Sequence, residues 1–430
     1  MKLLLPFFAL ICFSLSAQTV HPETSKAAAA IEGKVIEWRH HLHENPELSN
    51  REFETAKYVE KHLRGLGMEV RTGVAHTGVV GILKGGKPGG VIALRADMDA
   101  LPVREMVDLP YASKVETTYL GKDVGVMHAC GHDTHVAMLM GAAEILSARK
   151  KNLKGTIIFI FQPAEEGPPK EEGGGAKMMV KEGVLSDYGV EVAFGIHINS
   201  QTPVGQVNYK PGGAMAASNP FVIKVKGKQA HGSTPWASID PVVVAAQIIM
   251  GLQTIVSRQS ELTKEPVVIS VGKIEGGVRN NIIPSEVTMI GTIRTLDRAM
   301  KKDVFERIHN TATHIAAASG AEVEVDIQDG TLITFNDLEI TRKLMPTVVA
   351  TAGEDNVNLI RPITGAEDFS FYAKEVPSLF IFLGGMDPAM NRRDAPGHHT
   401  PYFRVDDRGM KLGVEIYTNI ALDYLNGKAR

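Results

Sequence analysis

Apolar residues recur along this chain in two patterns, one typical of helices and one typical of buried strands. Residues 27–67 carry apolar side chains at helical spacing, interrupted by Asn45 and Pro46, and they predict two helices with a turn between them. Short, continuous apolar runs predict strands at residues 79–83, 91–96, 155–161, 192–196 and 378–383. Because such runs are typical of strands buried on both faces, they predict an α/β domain whose sheet is covered by helices on each side.

A different order of elements occupies residues 213–331. The pattern there predicts strand, helix, strand, strand, helix and strand, which is the order of a ferredoxin-like α+β sandwich. The predicted elements are residues 221–226, 240–257, 267–274, 287–295, 299–319 and 322–328. The earlier pattern then resumes, with a final helix near residues 409–425. We therefore expect residues 213–331 to be a domain inserted into a larger α/β domain made of residues 18–212 and 332–430.

Length and charge limit the classes of function. A chain of 430 residues exceeds the usual size of one hydrophobic core, in agreement with two domains. The formal net charge is −3, and no stripe of Lys and Arg indicates a nucleic-acid partner. The hydrophobic fraction of 44% and the charged fraction of 22% are typical of a soluble globular protein. These values favour a small-molecule or peptide partner.

The N-terminus has the composition of a secretory signal peptide. Lys2 is followed by an apolar run that ends at Leu15, and the small residues Ser16 and Ala17 come next. The run is too short to span a membrane, so we expect residues 1–17 to be removed and the protein to be periplasmic or secreted, with no membrane anchor. The alternative is a short buried N-terminal helix. Removal of the signal would leave Cys130 as the only cysteine, and metal ligation would explain why a lone thiol persists in an exported protein.

The strongest candidate for chemistry is the segment that contains Cys130 and His132. A thiolate and an imidazole can bind one transition metal if the backbone turns between them, and Gly131 permits that turn. The alternative is a small buried thiol beside ordinary polar histidines. The choice between them depends on further ligands elsewhere in the chain.

Acidic residues follow two of the predicted strands. Glu165 and Glu166 come after the strand at residues 155–161, and functional groups in open α/β sheets collect beyond the carboxyl ends of strands. One of two neighbouring carboxylates can coordinate a metal while the other deprotonates a water, although a solvated acidic turn is the alternative. Asp97 and Asp99 follow the strand at residues 91–96, where they could orient ligating imidazoles or cap a turn.

Further imidazoles complete a set that could hold two first-row metals. His197 follows the predicted strand at residues 192–196, and His398 and His399 lie in a loop that Pro396, Gly397 and Pro401 keep irregular. Each is weak evidence alone, because an isolated histidine is more often a satisfied polar residue than a ligand. Together with Cys130, these residues indicate a site for two divalent metals.

Several segments of the chain resemble those of a known family and occur in the family's order. The chain is similar to the co-catalytic metallopeptidase superfamily of aminoacylases and carboxypeptidase G, and within it to the branch of hippurate hydrolases and indole-3-acetyl-amino-acid hydrolases. The segments that carry the resemblance are residues 42–49, 94–102, 128–133, 162–167, 365–370 and 399–403. The resemblance implies a mixed-sheet catalytic domain, with Glu165 as general acid/base and Cys130 as a bridge between the ions. Of the two aspartates after the strand, we expect Asp99 to be the orienting carboxylate. The implied metal ligands are Cys130, His132, Glu166, His197 and His399.

The resemblance also gives the inserted domain a role, since it is similar to the family's lid domain, which commonly forms homodimers. His231 matches the lid histidine that reaches the scissile carbonyl, often from the partner subunit. Asn281 and Arg294 match positions that hold polar groups of the substrate, although an exposed strand arginine is the alternative for Arg294. Trp236 stands where the family commonly has a second histidine, which favours an apolar or aromatic group at the site.

Together these features predict an exported, metal-dependent amidohydrolase that cleaves N-acyl-amino acids, such as hippurate, or related small amides. Zinc or manganese best suits the ligand set, and cobalt or nickel is possible in principle. A dipeptidase or carboxypeptidase that uses the same site is the alternative enzyme. A metal-binding protein without activity is disfavoured, because Glu165 would have no purpose in it.

Overall fold

The structure is a computed structural model, which describes residues 21–169 and 171–428. The predicted signal peptide, residues 1–17, lies outside the described residues. The helices are α1 (Pro22–Glu44), α2 (Phe53–Gly65), α3 (His132–Ala148), α4 (Gly175–Lys181), α5 (Pro241–Thr254), α6 (Arg298–Ala318), α7 (Leu338–Ala352), α8 (Ser370–Glu375) and α9 (Met410–Leu425).

The strands are β1 (Glu69–Val74), β2 (Gly78–Lys84), β3 (Lys87–Asp97), β4 (Glu116–Tyr119), β5 (Lys122–Gly125), β6 (Lys154–Gln162), β7 (Val192–Pro203), β8 (Val207–Tyr209), β9 (Gly212–Met215), β10 (Ala217–Lys226), β11 (Ala230–His231), β12 (Val267–Gly276), β13 (Ile282–Ile283), β14 (Glu286–Thr295), β15 (Glu322–Ile327), β16 (Thr334–Asn336), β17 (Val357–Leu359) and β18 (Ser378–Met386).

The larger domain is built on a mixed sheet in the order β1-β2-β6-β3-β7-β18-β8-β17. Its central strands β6, β3, β7 and β18 are parallel, whereas β1 and β2 extend one side in antiparallel pairing. All residues of β18 are buried, as are most residues of β6. Burial on both faces explains the continuous apolar runs, and the predicted α/β class is confirmed.

Helices cover both faces of this sheet. On one face α1, α3, α7 and α9 pack on one another and share a large apolar core with the strands. On the other face α4 and α8 close a smaller core around Phe369 and Phe380. The two layers leave the carboxyl ends of β3 and β6 facing the loops that contain the candidate site residues.

One strand end differs from the prediction. The apolar run predicts that the strand ends before His197, but β7 continues to Pro203 and His197 lies within it. Pairing of β7 with β3 stops at Gly195, whereas its pairing with β18 continues to Asn199 and beyond. The reason is that one neighbour supports the strand after the other has ended. His197 is thus held by a paired backbone rather than by a loop.

The inserted domain has the predicted ferredoxin-like arrangement. Its antiparallel sheet has the order β12-β14-β10-β15, and α5 and α6 pack on it around a core that is separate from the two cores of the larger domain. Asp240 caps α5 by accepting hydrogen bonds from the Val242 and Val243 N–H groups. The two chain crossings between the domains run side by side, because β9 pairs with β16.

Among the described residues, one helical stretch, Pro241–Gln259, is long and apolar enough by composition to cross a membrane. Val244, Ile248 and Leu252 of this stretch are buried in the core of the inserted domain. That contact is typical of a core helix in a folded domain. Met250, on another face of the same helix, is exposed.

Candidate metal centre

The turn between Cys130 and His132 depends on Gly131. Its φ is +94°, and a Cβ there would lie 2.4 Å from the Ile198 side chain, so both the backbone conformation and the packing require glycine. His132 is the first residue of α3. The turn therefore directs the Cys130 thiol and the His132 imidazole toward the same buried space.

The loop after β6 holds Glu165 and Glu166 through their backbone. Ala164 has a φ of +51°, an uncommon conformation for a residue with a side chain. The buried Glu52 carboxylate accepts a hydrogen bond from the Ala164 N–H at 2.9 Å. Asp99 accepts hydrogen bonds from the N–H groups of Glu165 and Glu166, at 3.1 and 3.0 Å. Two buried carboxylates thus fix the strained loop that presents the glutamates.

The five predicted ligands lie close together as the Cys130 cluster, with Cys130 and His132 buried and His399 exposed at the surface of the group. Its Sγ lies 3.5 Å from Nε2 of His197 and 3.3 Å from Nε2 of His399. His399 Nε2 also lies 3.0 Å from Glu166 Oε1. Cys130 belongs to two groups of donor atoms close enough to share an ion, one with Glu166 and His399 and the other with His197 and His398. Its Sγ thus lies close to Glu166 and His399 in one group and to His197 in the other.

Hydrogen bonds distinguish histidines that keep a free nitrogen from those that do not. His132 donates from Nδ1 to the Asp99 backbone oxygen at 2.8 Å, and its buried Nε2 has no hydrogen-bond partner in the described chain. His197 donates from Nδ1 to the Ile198 oxygen at 2.5 Å, which leaves Nε2 facing Cys130. In both residues the protonated nitrogen faces the backbone and the lone pair faces the cluster, as metal ligands require.

His135 and His398 lie in the same cluster but have no nitrogen to spare. Nε2 of His135 accepts from the Ile198 N–H at 2.8 Å, while its Nδ1 donates to Asp97 Oδ1 at 2.5 Å. Nε2 of His398 accepts from the Ser200 N–H at 3.2 Å, and its Nδ1 donates to the Cys130 backbone oxygen at 3.1 Å. The geometry therefore favours His399 over His398 as the ligand from this loop.

The electrostatics of the cluster suit divalent cations. Burial, together with the Glu166 and Glu165 carboxylates, raises the pKa of the Cys130 thiol well above its usual value. Burial opposes a charge on His132, yet Asp97 and Asp99 raise its pKa to about 10. A space with so many acceptor groups and one unpartnered buried nitrogen is stabilised when cations enter and the thiol ionises. The residues present thus fit two divalent ions.

The Glu165 carboxylate lies beside the Cys130 cluster and is not one of the predicted ligands. Its Oε2 lies 3.9 Å from His132 Nε2, and its Oε1 accepts a hydrogen bond from the Asp368 N–H at 3.4 Å. Burial, and then the Glu367 and Glu166 carboxylates, raise the pKa of Glu165 well above its usual value. A carboxyl with a raised pKa can accept and return a proton near neutral pH.

A buried arginine that sequence reasoning did not single out links both sides of the site. The Arg95 guanidinium donates to Asp97 at 2.7 Å, to Glu367 at 2.9 Å and to Asp368 at 3.0 Å. It is completely enclosed and balances part of the negative charge beside Glu165. Arg95, Glu367 and Asp368 lie in segments that carry the family resemblance, which was the available signal. Their pairing across more than 270 residues could be seen only in the folded chain.

A cleft of about 520 Å³ opens at the cluster and extends to the inserted domain. Arg294 of β14 lines this cleft, and in the part of the chain that the structure describes no carboxylate pairs with it. His231, on β11, and Asn281, beside β13, are exposed and do not line the cleft. Of the three residues predicted in the inserted domain, a single chain brings only Arg294 to the candidate site.

Comparisons with known proteins give this chain relatives over most of its length. The model of peptidase family M20/M25/M40 matches residues 93–423. Thermostable carboxypeptidase 2 of Saccharolobus solfataricus is 41% identical over 404 residues, which cover 92% of this chain and 96% of that protein. IAA-amino acid hydrolase ILR1-like 2 of Arabidopsis thaliana is 34% identical over 445 residues, which cover 100% of this chain and 96% of that protein.

A solved structure is similar over the same extent. A crystal structure from Bacillus subtilis, described as a dinuclear metal-binding peptidase of family M20, superposes with a TM-score of 0.77 at 33% identity. The match covers 93% of this chain and 99% of that one. The similarity therefore includes both the larger domain and the inserted domain.

Proposed function

This chain belongs to peptidase family M20/M25/M40, a family of metal-dependent hydrolases of amide bonds, and from that premise we propose that it hydrolyses N-acyl-amino acids. The observation that carries the proposal is one cleft that contains both the Cys130 cluster and Arg294. The first can act on an amide, and the second can hold a carboxylate beside it.

Two divalent ions are proposed at the cluster, in keeping with the dinuclear site named for the Bacillus subtilis relative. The residues that would hold them are Cys130, His132, Glu166, His197 and His399. Bound ions would polarise the amide carbonyl and lower the pKa of a water molecule. Zinc or manganese suits the mixture of thiolate, imidazole and carboxylate.

Glu165 is proposed to move the proton. It takes the proton from the attacking water and returns it to the nitrogen of the leaving amine, so one carboxyl acts first as base and then as acid. Arg95 and the backbone N–H of Asp368 hold the surroundings of this carboxyl in place.

Arg294 is proposed to bind the carboxylate of the amino-acid part of the substrate. Its guanidinium is partly buried, which lowers its pKa, and it has no acidic partner among the described residues. An α-carboxylate next to the scissile amide occurs in N-acyl-amino acids and also at the C-terminus of peptides. A carboxypeptidase or dipeptidase is therefore the second candidate, and the likeness to a thermostable carboxypeptidase favours it.

His231 is proposed to act in the cleft of a second copy of the chain. It is exposed, and the inserted domain also exposes the apolar side chains of Trp236 and Val278. The edge strand β12 and the exposed Met250 add further surface that this chain leaves uncovered. A homodimer through the inserted domain would cover this surface and place the imidazole where the oxyanion forms. We also propose that residues 1–17 direct export to the periplasm or out of the cell.

A substrate screen with metal-loaded protein tests the function. Acetyl, benzoyl and octanoyl derivatives of one amino acid are compared with dipeptides that carry the same C-terminal residue. We expect the acyl derivatives to have the higher kcat/KM. Preferential cleavage of dipeptides would favour the second candidate, and no cleavage of any amide at full metal content would contradict both.

A further inference from the structure

A second cavity, of about 410 Å³, adjoins the cleft, and Glu166 lines both. The walls of the second cavity come from residues 48–51, from residues 100–102 and from the hairpin formed by β4 and β5. The segment after Glu166 contributes as well. This cavity is separate from the surface that Arg294 occupies, since the two share only the one glutamate.

The lining of the second cavity is more apolar than polar, and Ser49, Thr117 and Thr118 are its uncharged polar members. Leu48, Leu101, Tyr119 and Leu120 are among its apolar lining residues. Apart from Glu166, the one charged side chain among its described lining residues is Arg51. Glu172 neutralises it through two hydrogen bonds of 2.7 and 3.1 Å. A charged group would lose its hydration there without gaining a partner, whereas an uncharged apolar group would be stabilised.

The hairpin that covers this cavity belongs to no larger sheet. β4 and β5 pair only with each other, and Leu120 at the turn is 78% exposed. A hairpin of two strands is marginally stable alone, so contacts with a bound apolar group would add to its stability. Leu120 is exposed at the mouth of the cavity, and a bound apolar group would cover it.

The position of Glu166 between the cavities relates them to one substrate. An amide carbonyl bound at the Cys130 cluster has two substituents, and they leave it in different directions. If the amino-acid carboxylate extends to Arg294 in the cleft, the acyl group extends toward the second cavity. The cleft has an unpaired cation among the described residues, Arg294, which suits the carboxylate of the substrate. The second cavity is more apolar than polar, which suits the acyl group.

We propose that the second cavity is an acyl-group subsite, which selects N-acyl-amino acids with an uncharged, extended apolar acyl group over those with a short one. This inference rests on the proposed function, because it assigns one half of the proposed substrate to a place. It concerns the side of the amide that Arg294 does not contact.

Chain-length dependence of turnover tests the subsite. Full burial of one methylene changes affinity about fourfold, so kcat/KM should rise by at least about 30-fold from the acetyl to the octanoyl derivative of one amino acid. In the Thr117→Trp variant the indole would fill the cavity, and we expect the octanoyl-to-acetyl ratio to fall by about tenfold or more. Lys122→Trp is the matched control, because it places the same side chain on the same hairpin outside the cavity lining. It should keep the wild-type ratio.

Equilibrium binding gives a readout that does not depend on turnover. Octanoate and acetate share a carboxylate, so the difference between their Kd values in calorimetry reports the alkyl chain alone. Wild type and Lys122→Trp should bind octanoate at least tenfold more tightly than acetate, and Thr117→Trp should lose most of that difference. Leu120→Asp, which adds a charge at the mouth, should also reduce the difference between the two Kd values. It is a second test of the cavity if Thr117→Trp does not fold.

The outcomes separate this inference from the proposed function. Equal Kd values for octanoate and acetate in the wild type, or a wild-type ratio in both cavity variants, would overturn the subsite even if acyl-amino acids are hydrolysed. Failure to hydrolyse any acyl-amino acid would overturn the proposed function, while the binding measurement would still decide the subsite.

Discussion

The metal centre and the inserted domain of this hydrolase are organised in opposite ways. At the centre, His132 and His197 each use one nitrogen in a backbone hydrogen bond and direct the other into a buried cluster. In the inserted domain, His231 and Asn281 are exposed and line no part of the cleft. One chain therefore contains the complete set of candidate ligands but an incomplete set of candidate substrate contacts.

Glu165→Gln probes the region that one chain completes, and it should have the largest effect. The amide is close in shape to the carboxylate but cannot carry the proton, so turnover should fall by roughly two to four powers of ten. Metal content should stay near that of the wild type, because Glu165 is not among the proposed ligands. Steady-state kinetics and metal analysis on the same preparation check both parts. Unchanged hydrolysis would remove Glu165 from its role.

Mixing of subunits determines whether His231 acts in its own chain or in a partner. His231→Ala should lower kcat by about 10² to 10³, the usual cost of losing one oxyanion donor. Dimers formed from Glu165→Gln and His231→Ala chains should regain activity, since one of their two sites combines an intact Glu165 with an intact His231. Random pairing would restore about a quarter of wild-type activity.

The control for that experiment is each variant alone, refolded or co-expressed in the same way. A mixture no more active than its components would mean that His231 does not act across subunits. If light scattering shows a monomer, the proposed dimer is wrong and His231 cannot act across subunits.

Arg294→Met should have the smallest effect of the three, because Arg294 binds substrate and performs no chemistry. Loss of a charge-assisted hydrogen bond to a carboxylate should lower kcat/KM by about 10- to 100-fold, mostly through KM. The same loss should nearly disappear for substrates whose carboxylate is replaced by an amide. Arg294→Lys is the matched variant and should recover part of the affinity. An equal loss for acid and amide substrates would contradict the assignment.

Elements with a clear period could be predicted from the sequence within a few residues. The predicted strand at residues 155–161 is β6, and the predicted helix at residues 299–319 is α6. The β4–β5 hairpin was not predicted, since Glu116, Thr117, Thr118 and Lys122 carry no apolar alternation. Its strands are exposed, so no burial pattern marks them.

The candidate site was predictable in its residue types but not in its arrangement. The pattern of Cys, His and Glu at segment ends, and then the family resemblance, identified the proposed ligands. The sequence alone could not show that backbone groups engage both nitrogens of His398 while Nε2 of His399 faces Cys130 and Glu166. That difference depends on the Ser200 N–H, about two hundred residues away in the chain. The same is true of Arg95, whose apolar surroundings in β3 resemble those of an ordinary buried strand.

Two divalent ions are proposed to bind one chain through a defined set of residues, namely Cys130, His132, Glu166, His197 and His399. Metal analysis of purified wild type, His399→Ala and His398→Ala tests this proposal. We predict about two ions per chain in the wild type, loss of at least one in His399→Ala and wild-type content in His398→Ala, whose nitrogens are both engaged in hydrogen bonds. A wild type that binds no divalent metal, or equal loss in the two variants, would contradict the claim.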